Sequence, residues 1–295
     1  MAGTHNPTKT LTIQKQWRRE VDKRYRDLSR AINKALLLGD AGGFVFNESA
    51  FQFKDNPKAV VEFMLWLQGQ IDQKILDNKN IVTASTDFWQ NKYIDRAYIS
   101  GMERAKAQLR KAPTSLGKLL EDIKPADING TAKMHLGAGI GGGSAFIGVP
   151  IHLDAIQTLY TRDFAQLKGI TDAMSQQISR VLYEGVEQGL GMAEVARNIN
   201  DRVNKIGRTR SRLLSRTETV RSYNVGVINE GIETGRRFNE VVNYKWADSD
   251  DGAVRPEHLA RDGLVYNAGT AFSLIGEPNC RCALIPVIGQ KVTGS

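Results

Sequence analysis

From Leu153 to Ile206 the apolar residues fall on helical spacing with little interruption. Leu153, Ile156, Tyr160, Phe164 and Leu167 form one stripe, and Met174, Ile178, Val181, Leu182 and Val186 a second. Met192, Val195, Ile199, Val203 and Ile206 form a third. Residues three and four apart share one face of an α-helix, whereas a half-buried strand needs strict alternation. This half of the chain therefore buries its apolar content as packed helices. Thr171 is placed to cap the second helix and Gly207 to end the third. A fourth helix is expected from about Arg210 to Thr234, ended by Gly235.

The N-terminal residues carry the same signal. Trp17, Val21, Tyr25, Leu28, Ile32 and Leu36 set a helix over about Gln14 to Leu38. Its other faces are crowded by Lys15, Arg18, Arg19, Lys23, Arg24, Arg26, Arg30 and Lys34, which serve either as a solvated outer surface or as one facing a partner or phosphates. A second helix is expected over about Pro57 to Asp77, buried through Val61, Met64, Leu65, Gln68, Ile71 and Ile75. A third starts near Thr86 or Asp87 and runs to about Lys111, buried through Trp89, Tyr93, Ala97, Gly101, Ala105 and Leu109.

Between these halves lie Gly130, Gly137, Gly139, Gly141, Gly142, Gly143 and Gly148, a composition that reads as a linker. Gly137, Gly139 and Gly142 fit a dinucleotide fingerprint, but Ser144–Pro150 is no helix start, so no helix N-terminus would face a phosphate. The expected organisation is a helical N-terminal unit over 1–130, a glycine-rich linker over 131–150 and a second unit over 151–290.

Past Thr234 the pattern changes. Val242, Tyr244 and Trp246 alternate with polar neighbours, which predicts a strand, and Leu264–Tyr266 and Ala283–Val287 suggest two more. Pro256 can open a short helix through His258. The fold class is thus mainly α, with a helical N-terminal unit, a helical C-terminal body and a small α+β knob at the C-terminus.

The charge and cysteine content narrow the chemistry. A formal net charge of +8 favours a polyanionic partner. No apolar run is long enough for a membrane span, and the first residues lack the core of a signal peptide, so assembly in a cytoplasm is expected. Arg208, Arg212 and Arg216 recur every fourth residue, on one side of the fourth C-terminal helix. Guanidinium groups bind phosphates in two-pronged fashion, so these three are candidate nucleic-acid contacts; internal pairing, as between Glu218 and Arg221, is the alternative.

Cys280 and Cys282 are the chain's two cysteines, and a disulfide between them would close a strained ring. With His258 they supply three of the four ligands a zinc ion takes, and Asp251 is a candidate fourth; ordinary packing thiols are the other reading. Asp248, Asp250 and Asp251 lack calcium-loop spacing and suit turns. The four histidines are scattered, and no pairing of nucleophile and base stands out.

Trp246 through Asp251, Arg255–His258, Asp262–Gly263 and Pro278–Cys282 together resemble the C-terminal signature of the phage Mu protein F-like minor head proteins. Arg216, Thr217, Glu218 and Asn224 resemble the preceding part, so the likeness covers roughly Leu153 to Val287. It implies a minor capsid protein near the portal vertex, acting in procapsid assembly and in packaging or delivery of DNA. The implied partners are the portal protein, phage DNA and other capsid or scaffolding proteins. Some relatives carry Cys-x-x-Cys where this chain has Arg255 and His258, which implies a metal-bearing knob in the family. Others fuse a toxin domain to this module, and none is expected in a chain that stops at Ser295. Two other functions stay open on the residues: a metal-dependent nuclease using His258 and the nearby aspartates, and a portal adaptor without DNA contact.

Overall fold

The structure is a computed structural model and describes residues 6–37, 40–41, 44–45, 57–77, 88–112 and 150–294. Among these, seven α-helices, a π-helical turn (Asp72–Leu76) and two small antiparallel sheets are formed. Helix α1 spans Leu11–Leu37, α2 Pro57–Ile71, α3 Asn91–Leu109, α4 Pro150–Glu187 and α5 Met192–Phe238. Two short helices, α6 (Pro256–Leu259) and α7 (Ala268–Leu274), lie within the C-terminal knob. Strands β1 (Asp40–Ala41) and β2 (Phe44–Val45) pair with each other. The three others, β3 (Val242–Ala247), β4 (Val265–Tyr266) and β5 (Ala283–Ile288), form a sheet in the order β4-β3-β5. The mainly helical class with its small α+β knob is what the sequence predicts.

Where four helices are expected after Pro150 there are two long ones. Thr171 caps nothing: it is buried inside α4, and its hydroxyl donates to the Lys168 carbonyl one turn back at 2.8 Å. Gly207 does not end a helix either. It sits inside α5, where a Cβ would come within 2.7 Å of the Tyr25 ring, so its role is to admit that ring. The actual stops carry the geometry that releases carbonyls at a helix end. At the end of α4, Gly189 is left-handed (φ 66°), Leu190 N–H bonds Gly185 O at 2.9 Å and Gly189 N–H bonds Val186 O at 3.1 Å. At the end of α5, Asn239 is left-handed (φ 54°) and Glu240 N–H returns to Gly235 O at 2.9 Å.

The chain forms two compact units that are interleaved along the sequence. One holds Gln16–Ser85 with Phe164–Leu214, and the other holds Met1–Lys15, Thr86–Asp163 and Ser215–Ser295. The glycine-rich stretch expected as a linker lies, up to residue 149, outside the described residues.

In the first of these, Trp17, Val21, Tyr25, Leu28 and Ile32 of α1 are buried as the spacing predicts. Polar pairs flank that stripe, with Ser29 on Asn200 and Ser211 on Asp22. The basic outer face is partly laced internally: Lys23 and Arg30 share Asp27, at 2.7 Å and 3.1 Å. Arg24 turns inward to the Lys74 carbonyl at 3.0 Å. Helix α2 buries only the end of the expected stripe, at Ile71 with Ile75 just beyond the helix. Val60, Phe63, Leu67 and Ile71 are inside, while Val61 and Leu65 are exposed. Both stripes keep helical spacing, and the bulk of Phe63 decides for the one that buries it.

In the second unit α3 buries Tyr93, Ala97, Gly101, Ala105 and Leu109, with Trp89 buried just ahead of it, again as the spacing predicts. It meets α5 through two glycines. A Cβ on Gly101 would lie 2.0 Å from the Tyr223 carbonyl oxygen, and one on Gly226 would lie 2.3 Å from that of Tyr98. Only backbone fits at this crossing. The sheet is tied to the same helix by Tyr244, whose hydroxyl donates to Ile228 O at 2.7 Å. Strand β3 is central, with Tyr244 opposite Tyr266 on one side and Pro286 on the other. The outer edge of β4 is covered: Thr293 and Gly294 N–H groups bond Val265 O, and Val265 N–H bonds Thr293 Oγ1.

Candidate metal centre

The site is built on the knob. Arg255 is extended, Pro256 occupies the first turn of α6, and that turn points His258 inward, where its side chain is 3% exposed. A second turn, Glu277–Cys280, closes through Cys280 N–H to Glu277 O at 3.1 Å, with Asn279 left-handed (φ 60°). It delivers Cys280 and then Cys282 to the same face, because residues two apart in extended chain point the same way.

Helix α5 holds this turn from below by one side chain per turn. Thr217 Oγ1 accepts Asn279 N–H at 3.0 Å, and Arg221 donates to Ile275 O at 3.0 Å. Asn224 donates to Cys282 O at 3.0 Å and accepts Leu284 N–H at 2.9 Å. The threonine and asparagine are the residues that give the sequence motif its spacing, and their work is to clamp the C-x-C turn.

His258, Cys280 and Cys282 come together as expected, each buried, with their donor atoms all within 4.8 Å of one another. His258 Nδ1 lies 3.3 Å from Cys282 Sγ and 3.6 Å from Cys280 Sγ. Its Nε2 lies 2.8 Å from Glu277 Oε2. A carboxylate accepts only, so Nε2 carries the proton and the bare Nδ1 lone pair faces both sulfurs. Glu277 is fixed in turn by Arg255 at 2.6 Å and Arg261 at 3.1 Å. Burial alone would raise the Glu277 carboxyl, but hydrogen bonds from His258 and Arg261 outweigh it and hold it below the usual range. The indole of Trp246 packs edge-on against His258, centroids 5.6 Å apart, and Arg261 covers the indole face.

The two thiols divide one proton between them. The hydrogen bond from Cys282, against the cost of burial, pulls Cys280 down to about 6, and the same contact pushes Cys282 up. Cys282 N–H also points at Cys280 Sγ, at 3.4 Å. Cys280 is therefore the sulfur readied as thiolate.

Asp251, the expected fourth ligand, is not in this cluster. Both guanidinium nitrogens of Arg281 take its carboxylate, one at 2.6 Å, and it also accepts Ala253 N–H at 3.0 Å. A carboxylate so engaged has its lone pairs spent. Asp248 is the contrasting case. It is buried, its Oδ1 accepts Asp250 N–H at 2.7 Å, and its Oδ2 has no hydrogen-bond partner among the described residues. Its charge reaches Cys282, where it raises the thiol.

On α5, Arg208 and Arg212 are exposed and Arg216 is half-buried. Glu218 forms an ion pair with Arg162 of α4 at 3.4 Å, and the charge of Arg221 also bears on its carboxylate. Glu277 is the residue of the site that the sequence reading missed, and its signal was its place just before Pro278 and the cysteines.

Residues 176–285 match the family described as phage Mu protein F like protein. An uncharacterised protein of Methanocaldococcus jannaschii is 31% identical over 121 residues, which is 40% of this chain and 18% of that protein. The NAD(+)–arginine ADP-ribosyltransferase EFV of Enterococcus faecalis is 25% identical over 131 residues, 40% of this chain and 26% of that protein. The chain thus spans about a fifth to a quarter of the length of these relatives. No solved structure matches. The matched segment begins within α4, takes in all of α5 and ends in β5, so the clamp and the buried trio fall inside it, and it is through residues 176–285 that this chain resembles the phage Mu protein F-like family.

Proposed function

We propose that the chain is a minor head protein of a tailed bacteriophage, acting at the portal vertex in procapsid assembly and in packaging or delivery of DNA. The observation that carries this reading is the family match over residues 176–285. The net charge of +8 and the exposed Arg208 and Arg212 supply a surface suited to phosphates, and Arg216 extends it by one turn. Capsid or scaffolding proteins and the portal are the protein partners. Its place is the virion interior, reached from the host cytoplasm during assembly.

The role is structural. A nuclease built on His258 would need that ring presented to substrate, but Nε2 is engaged by Glu277 and Nδ1 faces the two sulfurs in a buried pocket. The transferase activity named for the Enterococcus protein is that protein's own. Cross-linking within purified virions, with the linked peptides identified, tests the proposal. Links between this chain and the portal protein are the expected result. Absence of the chain from particles that assemble normally would overturn it. Incubation with DNA and added magnesium or zinc should give no cleavage.

A further inference from the structure

We propose that His258, Cys280, Cys282 and Asp248 bind one zinc ion that closes the C-terminal knob. Zinc takes Cys sulfur at about 2.3 Å and His nitrogen at about 2.0 Å in a tetrahedron, which puts its sulfur-to-nitrogen edges at roughly 3.5 Å. The two such edges here are 3.3 and 3.6 Å. A simple thiol-to-imidazole hydrogen bond explains one of them and not both, because Nδ1 has a single lone pair. Behind the ligand ring, Glu277 accepts from Nε2 and is itself held by two arginines. That is the outer support a zinc-bound histidine takes, fixing both its tautomer and its orientation.

Asp248 completes the set on a separate observation. A buried carboxylate oxygen without a hydrogen bond is costly, and Oδ2 is such an atom; it stands outside the 4.8 Å ring of the other three donors, so its side chain must turn in to ligate. A cation bound there removes that cost. On binding, two S–Zn bonds form and the proton that the two sulfurs share leaves to solvent, so affinity rises with pH. Two sulfurs, one imidazole and one carboxylate suit zinc above magnesium or calcium. With four protein ligands the shell is closed, as in a structural site.

The test uses the full chain, purified without chelator, and is independent of the head-protein reading. Elemental analysis is expected to find about one zinc per chain, and titration with cobalt(II) should give the absorption of a tetrahedral thiolate site. Cys280→Ser should abolish stoichiometric binding. Glu277→Gln should weaken it by about 10- to 100-fold, as loss of an outer-shell partner does. Asp248→Asn should weaken it by at least a comparable factor, while Asp251→Asn should leave it unchanged. A far-UV spectrum like that of the unaltered protein checks that each variant keeps its helical body. Failure of the unaltered chain to take up zinc or cobalt overturns the site. Unchanged affinity in Asp248→Asn overturns the fourth ligand, and weakening in Asp251→Asn returns that position to Asp251.

Discussion

His152 shows what burial does to a single titratable group. Its Nδ1 lies 2.7 Å from the Tyr98 hydroxyl, which also receives Asn229 Nδ2 at 3.1 Å. Burial, with Lys106 adding to it, lowers His152 to about 4, although Glu233 pulls the other way; Glu230 stands 3.7 Å from Nε2 and Arg237 also bears on the ring. A base whose folded pKa is depressed takes up protons more readily when unfolded. Its contribution to stability is therefore whole above about 6.5, the unfolded value, and is lost as pH falls toward 4. Asp95, raised to about 6 by burial despite a hydrogen bond from Tyr160, has the opposite sign: its cost appears as pH rises from about 4 to about 6. His152→Gln, which keeps a partner for Tyr98, should therefore lose less thermal stability than the unaltered protein between pH 6.5 and 4.5. A parallel decline of both proteins would show that His152 does not titrate in the fold. At this scale the sequence conveyed identities better than partners. His258 and the cysteines stood out because few residue types ligate zinc, but Asp251 and Asp248 are alike in composition and differ only in which neighbour reached them first.

Helices show where local rules stop deciding. The spacing of α1 and α3 predicts the buried stripes that form, because aromatic residues leave one face far more apolar than the rest. In α2 two stripes compete, and packing chose the one with Phe63. The glycines at 207 and 235 read as stops on propensity, yet a mid-helix glycine costs only about 1 kcal/mol, and a close neighbour repays it. The crossing of α3 and α5 depends on this most. Gly226→Ala would drive a Cβ into the Tyr98 carbonyl and should destabilise the protein by about 1–3 kcal/mol, read by denaturant unfolding. Wild-type stability in that variant would mean the two helices do not approach so closely. Asn224→Ala would leave Cys282 O and Leu284 N–H unpaired in the interior. A loss of about 1–3 kcal/mol is expected, centred on the knob and visible as faster amide exchange in β5.

For the whole molecule the leading question is what the positive charge serves. Part of the basic surface of α1 is offset by Glu20, Asp22 and Asp27 on the same helix. If Arg212 and Arg216 meet phosphate, replacing both by alanine should weaken binding to every duplex alike and flatten the dependence of log affinity on log salt by about two units. Unchanged affinity and slope in the folded variant would assign the pair to protein contacts, as a portal adaptor requires. The sheet of the knob has a further consequence. Its β4 edge is already occupied by Thr293 and Gly294, and the β5 edge carries Pro286, which has no N–H to offer. Neither side can recruit a foreign strand, so crowding inside an assembly should not convert this knob into a seed for runaway polymerisation. Removing residues 289–295 should expose one of those sides, and light scattering should then record self-association that grows with protein concentration.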